Sequence, residues 1–398
     1  MDRETLAARN IALSEAFRKP PLKHLVRRRL LSVVARIRFM PMRQSRRVLL
    51  IRPDHVGDML LTLPAIRALK AARPDLELHA LVGPWAAPVL ENVKELNRVL
   101  TLPFPGFGRS EEEHTHSPYV QAIRTSRMLR KIGYDSAVIL RPDHWWGAML
   151  AHLAGIRRRI GFDLPDVAPF LNERIPFQNA HAVVNGLQLV ESWTGPVRAE
   201  TLGLNFSFSR LDDDDASELL HRHGLPPDAR IVCIHPGSGT WTKQWTDERW
   251  ARVGDLLCEQ LDATIVLTGR EHELTMTRHI AELMTAHAVV AAGDTSLGAL
   301  AALFARALVV LGPDSGPIHL ASAVNTPTVA LFGPARVYEF GTWGPPDRHA
   351  ILTSDIACLG CGVLDWGSDL PEYHPCVTDI TVGSVLEAAR RVTAISPE

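Results

Sequence analysis

Short apolar runs, each closed by a turn-forming cluster and followed by a helical pattern, recur in two separate series along the chain. Val48-Leu49-Leu50-Ile51-Arg52 is the first run, and Pro53 ends it. Such a run reads as a buried strand, because no polar side alternates with the apolar one. A helix is predicted over residues 58–72, with Leu60, Leu61, Ile66 and Leu69 on one face and a stop at Arg73-Pro74. Residues 76–82 and 138–140 read as further strands. Strand, helix and strand at this spacing form a βαβ unit, which requires an open parallel sheet with helices on both faces. The series restarts at 231–235 and continues through strands at 264–268, 308–311 and 328–332, with helices at 247–259, 274–283, 297–305 and 317–323. At 398 residues the chain is too long for one ordinary core. The fold class is therefore α/β, with two Rossmann-like halves joined near residue 205. Ligands of such sheets bind beyond the carboxyl ends of the strands.

Composition excludes several classes. Hydrophobic residues at 46% and charged residues at 22% fit a globular protein rather than a disordered or collagen-like chain. The formal net charge is −1, so there is no global footprint for nucleic acid. Five cysteines do not make a disulfide scaffold and suit a reducing compartment. No run is apolar enough for a spanning helix, and Met1-Asp2-Arg3-Glu4 lacks the apolar core of a signal peptide. A cytoplasmic protein is expected.

One charge asymmetry stands out. From Arg18 to Arg47 there are eleven Lys/Arg and no Asp or Glu. Val26, Leu30, Val33 and Ile37 fall on one helical face there, with Arg27, Arg28, Arg29, Arg36 and Arg38 over much of the remainder. A basic amphipathic helix of this kind can lie on an anionic membrane surface, each nearby Lys/Arg contributing about 1 kcal/mol. The competing reading is a helix packed on the following domain with its arginines in solvent.

Three stretches carry candidate chemistry. In His235-Pro236-Gly237-Ser238-Gly239-Thr240-Trp241-Thr242-Lys243-Gln244-Trp245 a strand ends, glycines admit close backbone approach, and a helix is expected to follow. That arrangement holds phosphate oxygens on backbone amides. It is neither a Walker loop nor the GxGxxG fingerprint. Lys243 adds a compact positive charge in a chain with only six lysines; a surface lysine on a turn is the plainer alternative. The second stretch, Gly312-Pro313-Asp314-Ser315-Gly316-Pro317-Ile318-His319, places Asp314, Ser315 and Gly316 where a strand turns into a helix and His319 one turn further on. Asp314 could serve there as a helix cap alone. The third, Pro53-Asp54-His55-Val56-Gly57-Asp58, offers a carboxylate at the first strand-to-helix turn, suited to general-base work. By contrast the run Asp212–Asp215 reads as the acidic first turn of a helix rather than a metal site.

Together these stretches resemble glycosyltransferase family 9, the bacterial heptosyltransferases of lipopolysaccharide core assembly. The likeness runs over residues 48–380 through "LLIRPDHVGDMLLTLPAIRALKAARPD", "IHPGSGTWTKQWTDERW", "LTGREHE" and "AGDTSLGALAALFARALVVLGPDSGPIHLASAVNTPTVALFGP". It implies a GT-B fold with a basic extension (1–46), an acceptor domain (47–205), a nucleotide-sugar domain (206–350) and a tail (351–398) whose last helix, 383–394, crosses back to the first domain. It further implies Asp58 as general base and Lys243 at the donor diphosphate. Asp314, Ser315, Gly316 and His319 would hold donor phosphates and sugar, and Glu273 the ribose. Ser238 and Gly239 fall in the phosphate turn, Thr295, Ser296 and Leu297 near the base, and Arg52 at a strand end that is basic in relatives.

The reaction so implied is inverting transfer of a heptose, or a similar sugar, from a nucleotide-sugar donor of the ADP-heptose type to a glycolipid acceptor at the inner face of the inner membrane. The lysine and helix starts supply the positive field, so no metal or other cofactor is expected. Transfer to a protein or another glycan, and a silent nucleotide-sugar-binding module, are the alternatives. Cys358, Cys361 and Cys376, with His374 nearby, could hold a metal or remain free thiols. The segments 109–117 and 141–146 match nothing specific. His144-Trp145-Trp146 either stacks on a sugar or packs at a strand end.

Overall fold

The computed structural model describes residues 2–19, 21–37, 39–40, 45–108, 117–364 and 375–394. The chain divides into two compact units, Pro20–Leu202 on one hand and Gly203–Glu398 together with Met1–Lys19 on the other.

The first unit is built on a parallel six-stranded sheet of β1 (Arg47–Arg52), β2 (Glu77–Val82), β3 (Arg98–Thr101), β4 (Ser136–Ile139), β5 (Arg158–Phe162) and β6 (Glu173–Ile175), in the order β3-β2-β1-β4-β5-β6. β1 is buried along nearly its whole length, which explains its uninterrupted apolar sequence. Leu49, Ile51 and Ile139 share one core with Leu129, Tyr134 and Trp146 of the surrounding segments. Chain order reverses between β1 and β4, so the carboxyl ends of these two strands flank the crevice where an open sheet takes its ligand.

The helix expected over 58–72 is two helices, Val56–Leu60 and Leu63–Ala72. Pro64 cannot donate to the carbonyl four residues back and its ring collides with that turn, so a new helix starts there. Thr62 Oγ1 donates instead to the Asp58 carbonyl at 2.9 Å.

The second unit repeats the pattern with β7 (Ile231–Ile234), β8 (Thr264–Leu267), β9 (Ala288–Val290), β10 (Val310–Pro313), β11 (Thr328–Leu331) and β12 (His349–Leu352), in the order β12-β11-β10-β7-β8-β9. Its reversal point lies between β7 and β10. All strand pairs in both sheets are parallel. Trp245 and Trp250 meet edge to face at 4.9 Å in this core.

The aspartate run lies in the first turns of helix Arg210–Arg222, as its helix-start reading requires. Ser209 and Asp212 form a reciprocal capping box, and Asp213 pairs with Arg306 at 2.6 Å. Helix Val382–Thr393, expected to cross back to the first half, packs on helix Asp247–Leu261 and on β11 and β12 of its own unit. The N-terminal residues are shared out differently from the single extension expected over 1–46. Helix Arg3–Arg18 joins the second unit, burying Leu6 beside Val363 and pairing Arg3 with Asp379 at 2.8 Å and with Asp355. Helix Leu22–Val34 joins the first unit.

Candidate active site

At the crevice of the first unit, Arg52 closes β1 with its side chain 8% exposed. Its guanidinium reaches Asp54 Oδ2 at 2.7 Å and Asp58 Oδ1 at 3.2 Å, and donates to the Leu140 carbonyl, beyond β4, at 2.8 Å. Arg141, just past β4, grips Asp54 from the other side and holds Asp143 at 2.6 Å. Burial works to raise the Asp54 carboxyl, but the charges of Arg52 and Arg141 overrule it and keep it below the ordinary carboxylate range. Trp85 Nε1 donates to the Asp54 carbonyl at 2.9 Å and fixes the loop backbone. Asp58, in the first turn of helix Val56–Leu60, is about a third exposed, and Arg52 orients it. The predicted carboxylate therefore sits at the end of a buried chain of alternating charges.

Asp54 and Arg141 were not singled out by sequence reasoning. The signal was faint: an aspartate and an arginine, each just past a predicted strand. His144 is fully buried among Phe104, Phe107 and Trp146, at ring distances of 5.2, 5.8 and 6.4 Å. Burial pushes its pKa down to about 3, so the ring is neutral. Of the two readings of His144-Trp145-Trp146, packing at the strand end describes His144 and Trp146, both of which are buried. The segment 109–116 lies outside the described residues.

At the crevice of the second unit, His235 leaves β7 and the chain runs through Gly237, Ser238 and Gly239. The helix that follows is the one expected over 247–259, and it does not adjoin the glycines. A single 3-10 turn, Trp241–Lys243, intervenes, and the helix begins at Asp247. The intervening residues are committed to packing: Thr240 Oγ1 donates to the Leu364 carbonyl at 2.7 Å, and Trp245 Nε1 to that of Ile380 at 3.0 Å. The 3-10 turn delivers Lys243 to Asp314 beyond β10, with Nζ to Oδ2 at 2.5 Å and the carboxylate largely buried.

Asp314 is thus held by a lysine. Ser315 is the N-cap residue of helix Gly316–Ala323, and no side chain caps that helix end. The Ser315 hydroxyl is buried and has no hydrogen-bond partner among the described residues. His319 Nε2 lies 3.9 Å from the other Asp314 oxygen. Lys243, Asp314, Ser315, Gly316 and His319 therefore lie together beyond β7 and β10.

Glu273 stands against the glycine turn. Its Oε2 accepts from the Arg270 amide at 2.7 Å, and a Cβ on Gly237 would fall 1.9 Å from Oε1, which only glycine avoids. His235 lies 3.8 Å from the same carboxylate and 3.1 Å from the Thr268 hydroxyl. Burial pushes its pKa down to about 4, so at neutral pH this contact is not an ion pair. Ser238 Oγ donates to the Thr240 carbonyl at 2.5 Å, and Gly239 is exposed. Ser296 caps helix Leu297–Ala305 through the Ala299 amide and also reaches Asp212 at 3.2 Å, with Thr295 half-buried beside it. Thr295, Ser296 and Leu297 are thus positioned against the acidic helix start.

In the tail, Asn10 Nδ2 donates to the buried Cys358 sulfur at 3.6 Å. A hydrogen bond from Cys361 draws the Cys358 thiol down to about 6, while burial of Cys376 pushes its thiol up to about 12. Among the described residues no group of three or more His, Cys, Asp or Glu is arranged to hold a metal ion, and His374 lies outside them.

Comparison with known proteins bears on the family and the fold. The sequence pattern of glycosyltransferase family 9 (heptosyltransferase) matches residues 122–361. The chain is 24% identical over 364 residues to lipopolysaccharide heptosyltransferase 2 of Escherichia coli K12, covering 86% of this chain and 97% of that protein. Its fold is similar to the glycosyl transferase family 9 from Veillonella parvula, with a TM-score of 0.74 and 22% identity over 90% of this chain and all of that one. It is also similar to E. coli heptosyltransferase WaaC solved with ADP-2-deoxy-2-fluoro heptose, with a TM-score of 0.61 and 21% identity over 78% and 94% of the two chains.

Proposed function

The chain belongs to glycosyltransferase family 9, the heptosyltransferases, and from that premise we propose that it moves a heptose from ADP-heptose to a lipopolysaccharide-core-type glycolipid, inverting the anomeric carbon. The observation that carries this reading is the ion pair of Lys243 and Asp314 at the adjacent ends of β7 and β10. It sets a compact cation beside the residue that carries the buried Ser315 hydroxyl, which has no partner among the described residues, at the crevice where a nucleotide diphosphate binds in such sheets.

The acceptor hydroxyl attacks the anomeric carbon on the face opposite the diphosphate. Its proton passes to Asp58 as the new bond forms, and the bond to the diphosphate oxygen breaks. Arg52 pairs with the Asp58 carboxylate at 3.2 Å and orients it. Lys243 exchanges part of its contact with Asp314 for the departing phosphate, and the Ser315 hydroxyl and the amides of Ser315 and Gly316 take further phosphate oxygens. One preorganised donor of this kind contributes about 2.7–4 kcal/mol to the transition state. Glu273 receives the ribose, and Ser238 and Gly239 line the phosphate turn. The positive field comes from these groups without a metal ion. The E. coli relative's name concerns lipopolysaccharide and the WaaC structure holds an ADP-heptose analogue, which supports the choice of acceptor and donor.

The reading is tested by thermal unfolding against ADP, ADP-heptose, UDP, GDP and dTDP. A ligand at about 100 times its Kd adds about 2.7 kcal/mol. Selective stabilisation by the adenine compounds is the expected result. Stabilisation by another nucleotide alone would overturn the donor, and the wild-type response in Lys243→Ala would remove the lysine from the site.

A further inference from the structure

Helix Leu22–Val34 is docked on the first unit in an unusual sense. Its inward face carries Leu31, which is buried in the sheet core, and two arginines. Arg28 pairs with Asp166 at 2.7 Å, and Arg27 lies 4.7 Å over the Trp145 ring. The apolar stripe faces outward instead. Leu22, Val26, Leu30 and Val33 are 81%, 58%, 64% and 60% exposed, and Ile37 just beyond the helix is 51% exposed. At 100° per residue these five positions span about 80° of the helix surface. Exposed Arg29 and Arg36 flank the stripe on one side and exposed Lys23 on the other. This inverts the arrangement in which arginines are solvated and apolar residues are packed.

A second helix of the same unit carries a similar surface. Helix Pro118–Ile132 buries Ala122 and Leu129 in the core that holds Leu31, and Arg130 donates to the Met40 carbonyl at 2.9 Å. Its outer face exposes Tyr119, Val120 and Ile123 with Arg124, Arg127 and Lys131. No Asp or Glu occurs in residues 18–47 or 114–134.

We infer that these two helix faces form a docking surface for a bilayer of anionic phospholipid, with the stripe of Leu22–Val34 seated among the acyl chains and the flanking basic side chains at lipid phosphates. The charge decides the occupant. A second copy meeting this face across a two-fold axis would oppose like charges, whereas an anionic leaflet supplies the opposite sign along both flanks. The biological purpose of the surface, delivery of the enzyme to a membrane-embedded acceptor, rests on the reading proposed above; binding itself does not.

The test is co-sedimentation of the full chain with vesicles that contain no glycolipid, of phosphatidylcholine alone or with about 30% phosphatidylglycerol. Binding is expected to the anionic vesicles and to fall by about fivefold for each of Arg29→Gln and Arg36→Gln. The triple variant Val26→Ser, Leu30→Ser, Val33→Ser should lose binding by about tenfold or more with its Tm unchanged, since these side chains contact no core. Absence of binding to anionic vesicles, or wild-type binding by the triple variant, would overturn the surface. A concentration-dependent dimer dissociated by the triple variant, without vesicle binding, would assign the face to a second copy and also overturn it. Because the vesicles carry no acceptor, failure here leaves the nucleotide-binding test untouched, and failure there leaves this one standing.

Discussion

The two crevices are built on sheets of the same strand order, yet they hold opposite chemistry. At the ends of β1 and β4 the polar groups form a filled, alternating chain in which Arg52 and Arg141 enclose Asp54 and leave Asp58 at the rim. At the ends of β7 and β10 there is a glycine turn, the Lys243–Asp314 ion pair, and a buried Ser315 hydroxyl with no partner among the described residues. The first is a preformed carboxylate holder, and the second has donor capacity left for a ligand. The strand order fixes where a site falls, and the few residues after each strand decide what it does.

Substitutions that break this division of labour should do so unequally. Asp58→Asn removes the proposed general base and should lower kcat about a thousandfold while leaving the Kd for ADP near the wild-type value. Titration calorimetry beside steady-state rates checks both, and a parallel loss of ADP affinity would erase the contrast between the two crevices. Lys243→Ala should lower kcat about a hundredfold and weaken ADP binding together. Asp54→Ala acts on stability, since it leaves Arg52 and Arg141 facing a vacated buried site. A loss of about 3 kcal/mol in chemical denaturation is expected, with activity falling as Asp58 loses its aligned partner. Gly237→Ala forces a Cβ against Glu273 and should cost about 1–3 kcal/mol.

The smallest effect is a pH dependence. His144 in one unit and His235 in the other have folded pKa values lowered to about 3 and about 4. Below the unfolded value of 6.5 the unfolded chain binds more protons than the folded one, so stability is full above pH 6.5 and declines as the pH falls toward 4. His235→Gln should flatten that decline for the second unit; an unchanged slope would show that His235 is not neutral and buried in solution.

Much of this was legible in the sequence because its signals are local. Apolar runs such as 48–51 and 231–234 are buried on both sheet faces, and the glycine and Asp-Ser-Gly turns announce themselves within a few residues. What sequence reading missed depends on pairings far apart in the chain. Asp54 and Arg141 are 87 positions apart and meet only because β1 lies beside β4. Periodicity identified the apolar stripe of helix Leu22–Val34, but the face that docks is set by Asp166, 138 positions from Arg28. The helix at Asp247 was expected where it starts, but the residues between it and Gly239 are held by the tail through Leu364 and Ile380, contacts that no local pattern announces.

The most direct measurement of the central claim is mass spectrometry of a heptose-acceptor core glycolipid incubated with ADP-heptose and either the wild type or Asp58→Asn. The account predicts an acceptor heavier by one heptose, with one ADP released for each, in the wild type, and almost none in the variant despite retained ADP binding. An unmodified acceptor with the wild type, or undiminished transfer by Asp58→Asn, would contradict it.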